Sequence, residues 1–377
     1  YQRESQSLMT PTRRPCGLTF CPINQASFSA TTTASVTLPP DGEWIKPTDK
    51  SIVYVGRVSF RNPDAPMFNY PGTEIRAGFT GTSLKMVCKP MTGYFMVSID
   101  GKKAFKVGFN APKDSIVNLA TALSPGKHTV RAMYVIEGLD RKGDFRGFIL
   151  DEGCKLFKPA LPKHRIEFIG NSITCGFGNE SLRKDDPFEF ESENHYLTYA
   201  SIVSDKLDAL HTAIARSGIG VYRNAGGPIE GSADVMAAEF PYTIYNDHSE
   251  RWDFSRFIPE VVCINLGTND FSGPGYKVEL YEKAYRDFLS MVRSHYRDVP
   301  IVLLTGSMLQ GETNELQKKT LDRIADDFKK VGDNKIYRLD FSPQKGDLGY
   351  GACWHPSYKQ HQKMADELYP LLKKLLK

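Results

Sequence analysis

Two residues far apart in the sequence, Ser172 and His355, have side chains that together could carry out acyl transfer. Ser172 follows the apolar stretch IEFIG at 166–170, and His355 lies in the stretch GACWHPS at 351–357. A serine hydroxyl is a weak nucleophile until a base takes its proton, and histidine titrates close enough to neutral pH to be that base. We therefore predict that Ser172 is the nucleophile. The reaction rate should rise with pH as His355 loses its proton, between about pH 6 and 7.

The same chemistry needs hydrogen-bond donors for the negatively charged oxygen of a tetrahedral intermediate. Three donors follow predicted strands: the backbone N–H of Ser172, the backbone N–H of Gly220 in SGIGVYRN, and the side-chain amide of Asn269 in GTND. Glycine suits the second position because the backbone can approach a substrate closely where no Cβ intervenes. Gly218, in the same stretch, competes with Gly220 for this role.

Each candidate also has an ordinary structural explanation. Taken singly, Ser172 could cap a helix, His355 could be a surface or structural histidine, and Asn269 could form a turn. Trp354 is either a platform for a sugar ring or a core residue under the last helix, with neither favoured. Cys175 is a weaker rival nucleophile, since it is expected to face inward from a helix. The catalytic interpretation is preferred because the polar residues follow successive strands and converge on one predicted rim.

The pattern of the chain changes near residue 160, and this predicts the elements that position the candidates. Residues 43–157 consist of short strands separated by Gly, Pro, Asn and Asp, which predicts a β-sandwich of the jelly-roll kind. Residues 158–377 alternate apolar strands with amphipathic helices, which predicts a three-layer α/β domain with a flavodoxin-like parallel sheet. Ligands bind at the carboxyl ends of the strands in such sheets. Residues 1–42, rich in Thr, Ser and Pro, are predicted to form an N-terminal arm.

Composition excludes several classes of protein. The 377 residues carry a net charge of +4, with basic and acidic residues interspersed, so no nucleic-acid partner is predicted. No apolar run approaches the roughly 20 residues that cross a bilayer, so no membrane-spanning segment is predicted. No cysteine or histidine cluster has metal-ligand spacing, so neither a metal nor a cofactor is expected. Cys16 and Cys21 either form a disulfide or remain free thiols.

Four short motifs, taken in order, resemble those of a known enzyme family. The stretches GNSIT, RSGIGVYRN, GTND and WHPS are similar to the four blocks of SGNH (GDSL-like) hydrolases. With a β-sandwich in front of them, they more narrowly resemble carbohydrate esterase family 2, which contains acetylxylan esterases. The resemblance implies Ser172 as nucleophile, His355 as base, and Gly220 with Asn269 as oxyanion donors. It further implies removal of O-acetyl groups from xylan or glucomannan, without metal or cofactor, by a secreted or periplasmic enzyme acting on acetylated polysaccharide or oligosaccharide.

One position departs from the usual pattern of SGNH hydrolases. Most of them have an aspartate three residues before the histidine, and that position is Ala352 here. Some family 2 esterases work with a Ser-His dyad in which a backbone carbonyl holds the imidazole, and we predict the same arrangement. A carbonyl can fix the N–H tautomer, although it stabilises an imidazolium less than a carboxylate does. Asp347, or a more distant aspartate, remains an alternative.

Two other functions remain open from the sequence. The same machinery could act on a lipid or another small acyl ester or thioester, although no long apolar lid segment is evident. The chain could instead be a non-catalytic carbohydrate-binding protein. A pure binder would have no need of Ser172, Asn269 and His355, and this favours the esterase.

Overall fold

The computed structural model describes residues 41–113, 115–139 and 141–376. Apart from its last two residues, the predicted N-terminal arm lies outside this part of the chain, and so do Cys16 and Cys21. The described residues form an N-terminal pair of antiparallel sheets and a C-terminal parallel sheet with helices. Among the described helices, none is long and apolar enough to cross a membrane.

The described residues of the N-terminal domain form eleven strands in two sheets. One sheet has the order β1-β10-β5-β8, with β3 paired to β10, and the other has the order β11-β4-β9-β6-β7, with β2 paired to β4. The strands are β1 (Glu43–Ile45), β2 (Val53–Val55), β3 (Met67–Phe68), β4 (Glu74–Thr80), β5 (Leu84–Cys88), β6 (Gly93–Ile99), β7 (Phe105–Phe109), β8 (Ile116–Ala120), β9 (Lys127–Tyr134), β10 (Gly143–Leu150) and β11 (Leu156–Phe157).

The two sheets pack face to face around one apolar core. Alternate residues of β6, such as Phe95 and Val97, point inward and share this core with Met86 and Phe148 of the other sheet. This period of two is what a strand with one buried face requires. The packing confirms the predicted β-sandwich, whereas its jelly-roll connectivity stays a prediction. In the apolar stretch 51–60, regular strand pairing covers Val53–Val55, and Gly56 follows with a φ of +107°.

The C-terminal domain is built on five parallel strands in the order β13-β12-β16-β17-β18. This is the flavodoxin-like order predicted from the sequence, with the strand order reversing between β12 and β16. The strands are β12 (His164–Gly170), β13 (Ala209–Ala215), β16 (Val261–Asn265), β17 (Ile301–Thr305) and β18 (Ile336–Asp340), and β14 (Tyr242–Ile244) and β15 (Asp247–Arg251) form a separate hairpin.

Helices cover both faces of the parallel sheet. Val261 and Cys263 of β16 face the layer that contains α2 and α6, and Val262 and Ile264 face the layer that contains α4 and α5. The helices are α1 (Ser172–Cys175), α2 (Tyr199–Lys206), α3 (Met236–Glu239), α4 (Val278–His295), α5 (Gly311–Lys330) and α6 (Tyr358–Leu375), with 3₁₀ turns at Phe190–Ser192, His195–Leu197, Phe254–Arg256 and Ala352–Trp354. Strands β13, β16 and β17 are buried on both faces, which explains why their sequences are almost continuously apolar, whereas the edge strand β18 is only partly buried.

The two domains contact each other through buried groups. Val55 of the sandwich packs with Leu210, Trp252 and Phe257 of the α/β domain. Trp252 is buried and therefore has a packing role in this interface. The predicted domain boundary lies between β11, which ends at Phe157, and β12, which begins at His164.

Candidate active site

Ser172 lies where the chain turns sharply from strand β12 into helix α1. Asn171 is the N-cap, and its side chain accepts a hydrogen bond from the N–H of Ile173, so the capping role considered for Ser172 belongs to its neighbour. Ser172 is the first helical residue, where a backbone N–H has no partner inside the helix. A Cβ on Gly170 would lie 2.1 Å from Thr174 Oγ1, which explains the glycine at the end of the strand.

The imidazole of His355 contacts the hydroxyl of Ser172. Nε2 of His355 lies 2.8 Å from Ser172 Oγ. On the other side of the ring, Nδ1 lies 3.2 Å from the carbonyl oxygen of Ala352 and 3.2 Å from that of Cys353. Carbonyls only accept hydrogen bonds, so Nδ1 must carry the ring proton and Nε2 is left to accept the serine proton. In the described part of the chain, no carboxylate takes the place of these carbonyls.

The surroundings of His355 favour its neutral form. The ring stacks on Phe177, with ring centroids 4.2 Å apart. Desolvation lowers the pKa of His355 to about 4, although the hydrogen bonds to the Ala352 and Cys353 carbonyls act in the opposite direction. The titration that we expect for His355 therefore moves from the unperturbed range, about 6 to 7, to about 4, because burial disfavours the charged imidazolium.

The turn that carries His355 has an unusual backbone. Cys353 and Trp354 have φ values of +49° and +62°, in the left-handed region that side chains other than glycine rarely adopt. Across from it, Gly178 accepts a hydrogen bond from the N–H of Ala352 at 2.9 Å. A Cβ on Gly178 would lie only 2.4 Å from the Cβ of Ala352. Close approach at Gly178 therefore fixes the position of the turn.

The candidate oxyanion donors follow the two strands on either side of β12. The register places Gly170 between Ala215 of β13 and Asn265 of β16, so the segments after these three strands share one edge of the sheet. Asn269 is buried, and its Nδ2 donates to the carbonyl of Ile219 at 2.7 Å. This bond leaves the second hydrogen of the Asn269 amide group for another acceptor.

The two glycines of the SGIGVYRN stretch differ in what their N–H groups contact. The N–H of Gly220 donates to Asn224 Oδ1 at 2.9 Å. Nothing in the described part of the chain accepts the N–H of Gly218, whose φ is +77°. Gly220 is required for another reason, since a Cβ there would lie 1.9 Å from the carbonyl oxygen of Arg223. Of the two, Gly218 has the available donor.

Asp270 fixes the segment that follows Gly220. Its buried carboxylate accepts the N–H groups of Val221 at 2.9 Å, Tyr222 at 2.7 Å and Arg223 at 3.0 Å. Burial raises the pKa of Asp270 to about 6, while these backbone donors lower it. Asp270 directly follows Asn269, so one short segment both presents the amide and holds the glycine-containing loop. Sequence analysis placed Asp270 at this strand end but gave it no role.

Trp354 lies at the surface beside His355. Its side chain is 41% exposed, which contradicts the alternative of core packing under the last helix. The ammonium group of Lys184 lies 4.0 Å from the centre of the indole ring, and the ring of Tyr350 lies 5.3 Å away. An exposed indole next to the reactive pair can contact a sugar ring through its apolar face.

Comparisons with known proteins agree with this architecture. Residues 54–159 match the model of the carbohydrate esterase 2 N-terminal domain, and residues 166–368 match the model of the GDSL-like lipase/acylhydrolase family. The solved structure of a family two carbohydrate esterase from Clostridium thermocellum in complex with cellohexaose is 35% identical. It has a TM-score of 0.79, and the alignment covers 86% of this chain and 98% of that one. The chain belongs to carbohydrate esterase family 2.

Curated relatives of this family 2 chain have names that include esterase. The protein named cellulase/esterase CelE, from Acetivibrio thermocellus, is 36% identical over 326 residues, which is 86% of this chain but 39% of CelE. This chain therefore spans well under half of that relative. An acetylxylan esterase/glucomannan deacetylase from Cellvibrio japonicus is 28% identical over 334 residues, which cover 83% of this chain and 88% of the relative.

The family 2 chain contains one group of side chains with the spacing of metal ligands, among the residues that the structure describes. Ligand atoms of Glu137, Cys175 and Glu193 lie within 4.8 Å of one another. Burial raises the pKa values of Glu193 and of the Cys175 thiol well above their usual range, which favours the protonated form of each group. The raised pKa of Cys175 also weakens it as a rival nucleophile. Sequence analysis missed Glu137 and Glu193.

Proposed function

We propose that this chain is a serine esterase that removes O-acetyl groups from plant cell-wall polysaccharides such as xylan and glucomannan. The contact of His355 Nε2 with Ser172 Oγ, at 2.8 Å, carries the proposal. This contact lies at the carboxyl ends of parallel strands, where the strand order reverses and where ligands bind in such sheets. Membership of a carbohydrate esterase family and the names of the relatives support the substrate class.

In the proposed mechanism, His355 takes the proton from Ser172 as the hydroxyl oxygen attacks the acetyl carbonyl. The N–H groups of Ser172 and Gly218 and the side-chain amide of Asn269 donate hydrogen bonds to the negatively charged oxygen of the tetrahedral intermediate. We prefer Gly218 to the predicted Gly220 because the Gly220 N–H already donates to Asn224. The imidazolium then protonates the sugar oxygen as the bond between that oxygen and the acetyl carbon breaks. Water next attacks the acetyl carbon with His355 again as the base, and His355 returns the proton to Ser172 Oγ as acetate leaves.

The carbonyls of Ala352 and Cys353 take the place of the usual aspartate in this mechanism. They hold the ring in the tautomer that leaves Nε2 free. Two carbonyl dipoles also stabilise the imidazolium formed in the transition state, but less than a full negative charge would. No step requires a metal or a cofactor, and we expect chelation with EDTA to leave the activity unchanged.

We propose that Trp354 binds a sugar ring of the polymer next to the acetylated residue. Its exposure and its position one residue before His355 support this role. A polysaccharide of this kind does not cross a membrane unaided, so we also propose that the enzyme works outside the cytoplasm, as a secreted or periplasmic protein.

The decisive experiment is acetate release from acetylated xylan and glucomannan by the wild-type chain and by Ser172→Ala. Loss of the nucleophile is expected to lower the rate by several orders of magnitude without changing the circular dichroism spectrum. Comparison of 4-nitrophenyl acetate with the octanoate ester distinguishes a deacetylase from a lipid esterase. A folded Ser172→Ala variant with more than about a few per cent of wild-type turnover would overturn the proposal.

Trp354→Ala tests the polymer site separately. We expect the KM for acetylated xylan to rise about fivefold, since stacked aromatic contacts contribute on the order of 1 kcal/mol. The kinetics with 4-nitrophenyl acetate, which has no neighbouring sugar, are expected to stay within about twofold. An unchanged KM for the polymer would exclude the sugar platform.

A further inference from the structure

A glutamate of the sandwich domain holds the segment that carries the Gly218 donor. Glu137 follows strand β9 and is buried. One oxygen of its carboxylate accepts the backbone N–H of Ser217 at 2.5 Å, and the other accepts the Ser217 hydroxyl. On the far side, the carbonyl of Gly218 accepts the N–H of Ala225 at 2.8 Å. The peptide that contains the Gly218 N–H is therefore held from both sides.

Glu137 lies beside a second buried acid, Glu193. Glu193 Oε2 accepts the backbone N–H of Glu137 at 2.9 Å, and the two carboxyl groups lie within 4.8 Å of each other. Two carboxylates this close and shielded from water cannot both be charged. Burial and the neighbouring Glu137 raise the pKa of Glu193 well above its usual range. Both oxygens of Glu137 accept hydrogen bonds from Ser217, whereas Glu193 Oε1 has no hydrogen-bond partner among the described residues, so we assign the proton of the pair to Glu193.

We infer that Glu137 is a positioning residue for the oxyanion donor Gly218, because its carboxyl oxygens accept both the backbone N–H and the hydroxyl of the preceding residue, Ser217. This inference rests on the esterase function proposed above and on Gly218 as one of its donors. An oxyanion donor is effective when it is already oriented before the charge develops. The bonds from Ser217 to Glu137 supply that orientation, so the sandwich domain supports the active site although it contributes none of the proposed reacting groups.

Glu137→Gln tests the inference directly. Glutamine has no negative charge, and its NH2 group can only donate to the Ser217 hydroxyl, so one of the two hydrogen bonds reverses direction and both become weaker without the charge. We expect kcat for 4-nitrophenyl acetate to fall by about 10- to 100-fold, with KM within about twofold. Affinity for phenylboronic acid, which forms a tetrahedral adduct with a reactive serine, should weaken by a similar factor. A role in folding alone would not weaken this adduct in parallel with kcat.

Two further variants keep the test decisive if Glu137→Gln folds poorly. Glu193→Gln should lose less than about threefold in kcat, because glutamine reproduces both the donor and the acceptor of a protonated glutamic acid. Ser217→Ala removes only the contact of the hydroxyl, so its kcat should lie between the values for Glu137→Gln and Glu193→Gln. Ser59→Ala is the matched control, since the Ser59 hydroxyl also joins the domains, through its hydrogen bond to Glu250, while its backbone pairs with Met67. It should change stability but not kcat per folded molecule.

The outcomes separate this inference from the proposed function. If wild type hydrolyses the acetate ester and Ser172→Ala does not, the esterase stands whatever Glu137 does. Full activity in folded Glu137→Gln would then overturn the positioning role alone. A loss in Glu193→Gln as large as in Glu137→Gln would overturn the assignment of the shared proton. A wild-type chain with no acetate hydrolysis would instead overturn the proposed function itself.

Discussion

His355 can act as a base only while its Nε2 is unprotonated. The surroundings of the ring set its pKa, and therefore the pH below which Nε2 is protonated. Phe177 covers the ring, and desolvation lowers the pKa to about 4. The neutral, reactive form therefore persists above about pH 4, and activity is lost as pH falls through that value. Two opposing carbonyls limit the shift but do not reverse it.

We expect kcat/KM to stay nearly level from about pH 8 down to about pH 5, and to fall about tenfold per pH unit below about pH 4. The measurement is acetate release across this range, with circular dichroism at each pH to show that the protein remains folded. A single titration centred near 6.5, the value of an unperturbed histidine, would show that Phe177 does not shield the ring.

Asp347 is the acidic residue that sequence analysis kept as an alternative partner of His355. It is exposed, and His355 Nδ1 contacts the carbonyls of Ala352 and Cys353 instead. We expect Asp347→Asn to lower kcat by less than about tenfold, whereas loss of a true triad aspartate costs about ten-thousand-fold. His355→Ala, assayed beside it, should be nearly as damaging as Ser172→Ala. A fall in kcat of about a thousandfold or more in Asp347→Asn would instead show that Asp347 is the acidic member of a catalytic triad.

At the scale of single elements, the turn at Ala352–Trp354 has to be held against the loop after helix α1. Gly178 makes this possible, because its lack of a Cβ lets the two backbones approach. Its φ of +56° adds a second reason for glycine. Displacing the turn would move His355 away from Ser172, and misplacement by about 1 Å can cost on the order of a hundredfold in rate.

We expect Gly178→Ala to lower kcat by about 10- to 100-fold for this reason. Gly153→Ala is the matched control, since Gly153 also has a positive φ, +73°, but no atom lies within 4 Å of its added Cβ. Both substitutions should destabilise the fold by about 1–2 kcal/mol through the backbone conformation. Activity per folded molecule should fall only in Gly178→Ala, and equal activities would show that the close approach does not position His355.

The strands and their polar ends could be predicted from the sequence because each is marked by a local run of apolar residues followed by polar ones. Apolar strands followed by polar residues identified Ser172, Asn269 and His355, because parallel strands bring their carboxyl ends to one edge. The choice between Gly218 and Gly220 depends on where the Asn224 side chain points, which no pattern reveals. The role of Glu137 was also hidden, since its contact with Ser217 joins residues 80 positions apart in different domains.

At the scale of the whole molecule, the two domains are joined by a buried arginine. Arg57 of the sandwich donates through one nitrogen to the carbonyl of Phe240 and, at 2.6 Å, to that of Tyr242. Its guanidinium lies 5.0 to 5.8 Å from the ring centres of four aromatic residues: Tyr70, Phe240, Trp252 and Phe254. Cation–π contacts and charged hydrogen bonds of this kind are stronger away from water. We therefore expect the two domains to unfold together in one transition.

Arg57→Leu should lower the free energy of unfolding by about 3 kcal/mol or more, because it removes the charged donor and leaves two buried carbonyls without a partner. Urea unfolding followed by fluorescence and by circular dichroism provides the measurement. Arg61→Leu is the matched control: Arg61 is exposed and donates to Ser249 in the same region, so its loss should cost less than about 0.5 kcal/mol. If the two described domains unfolded independently, the urea curve of Arg57→Leu would show two transitions, and the transition of the more stable domain would be unchanged. If the unfolding curve of Arg57→Leu keeps a single transition at a lower urea concentration, the two domains and their interface form one cooperative unit. A stable interface of this kind would also keep Glu137 in contact with Ser217 of the other domain.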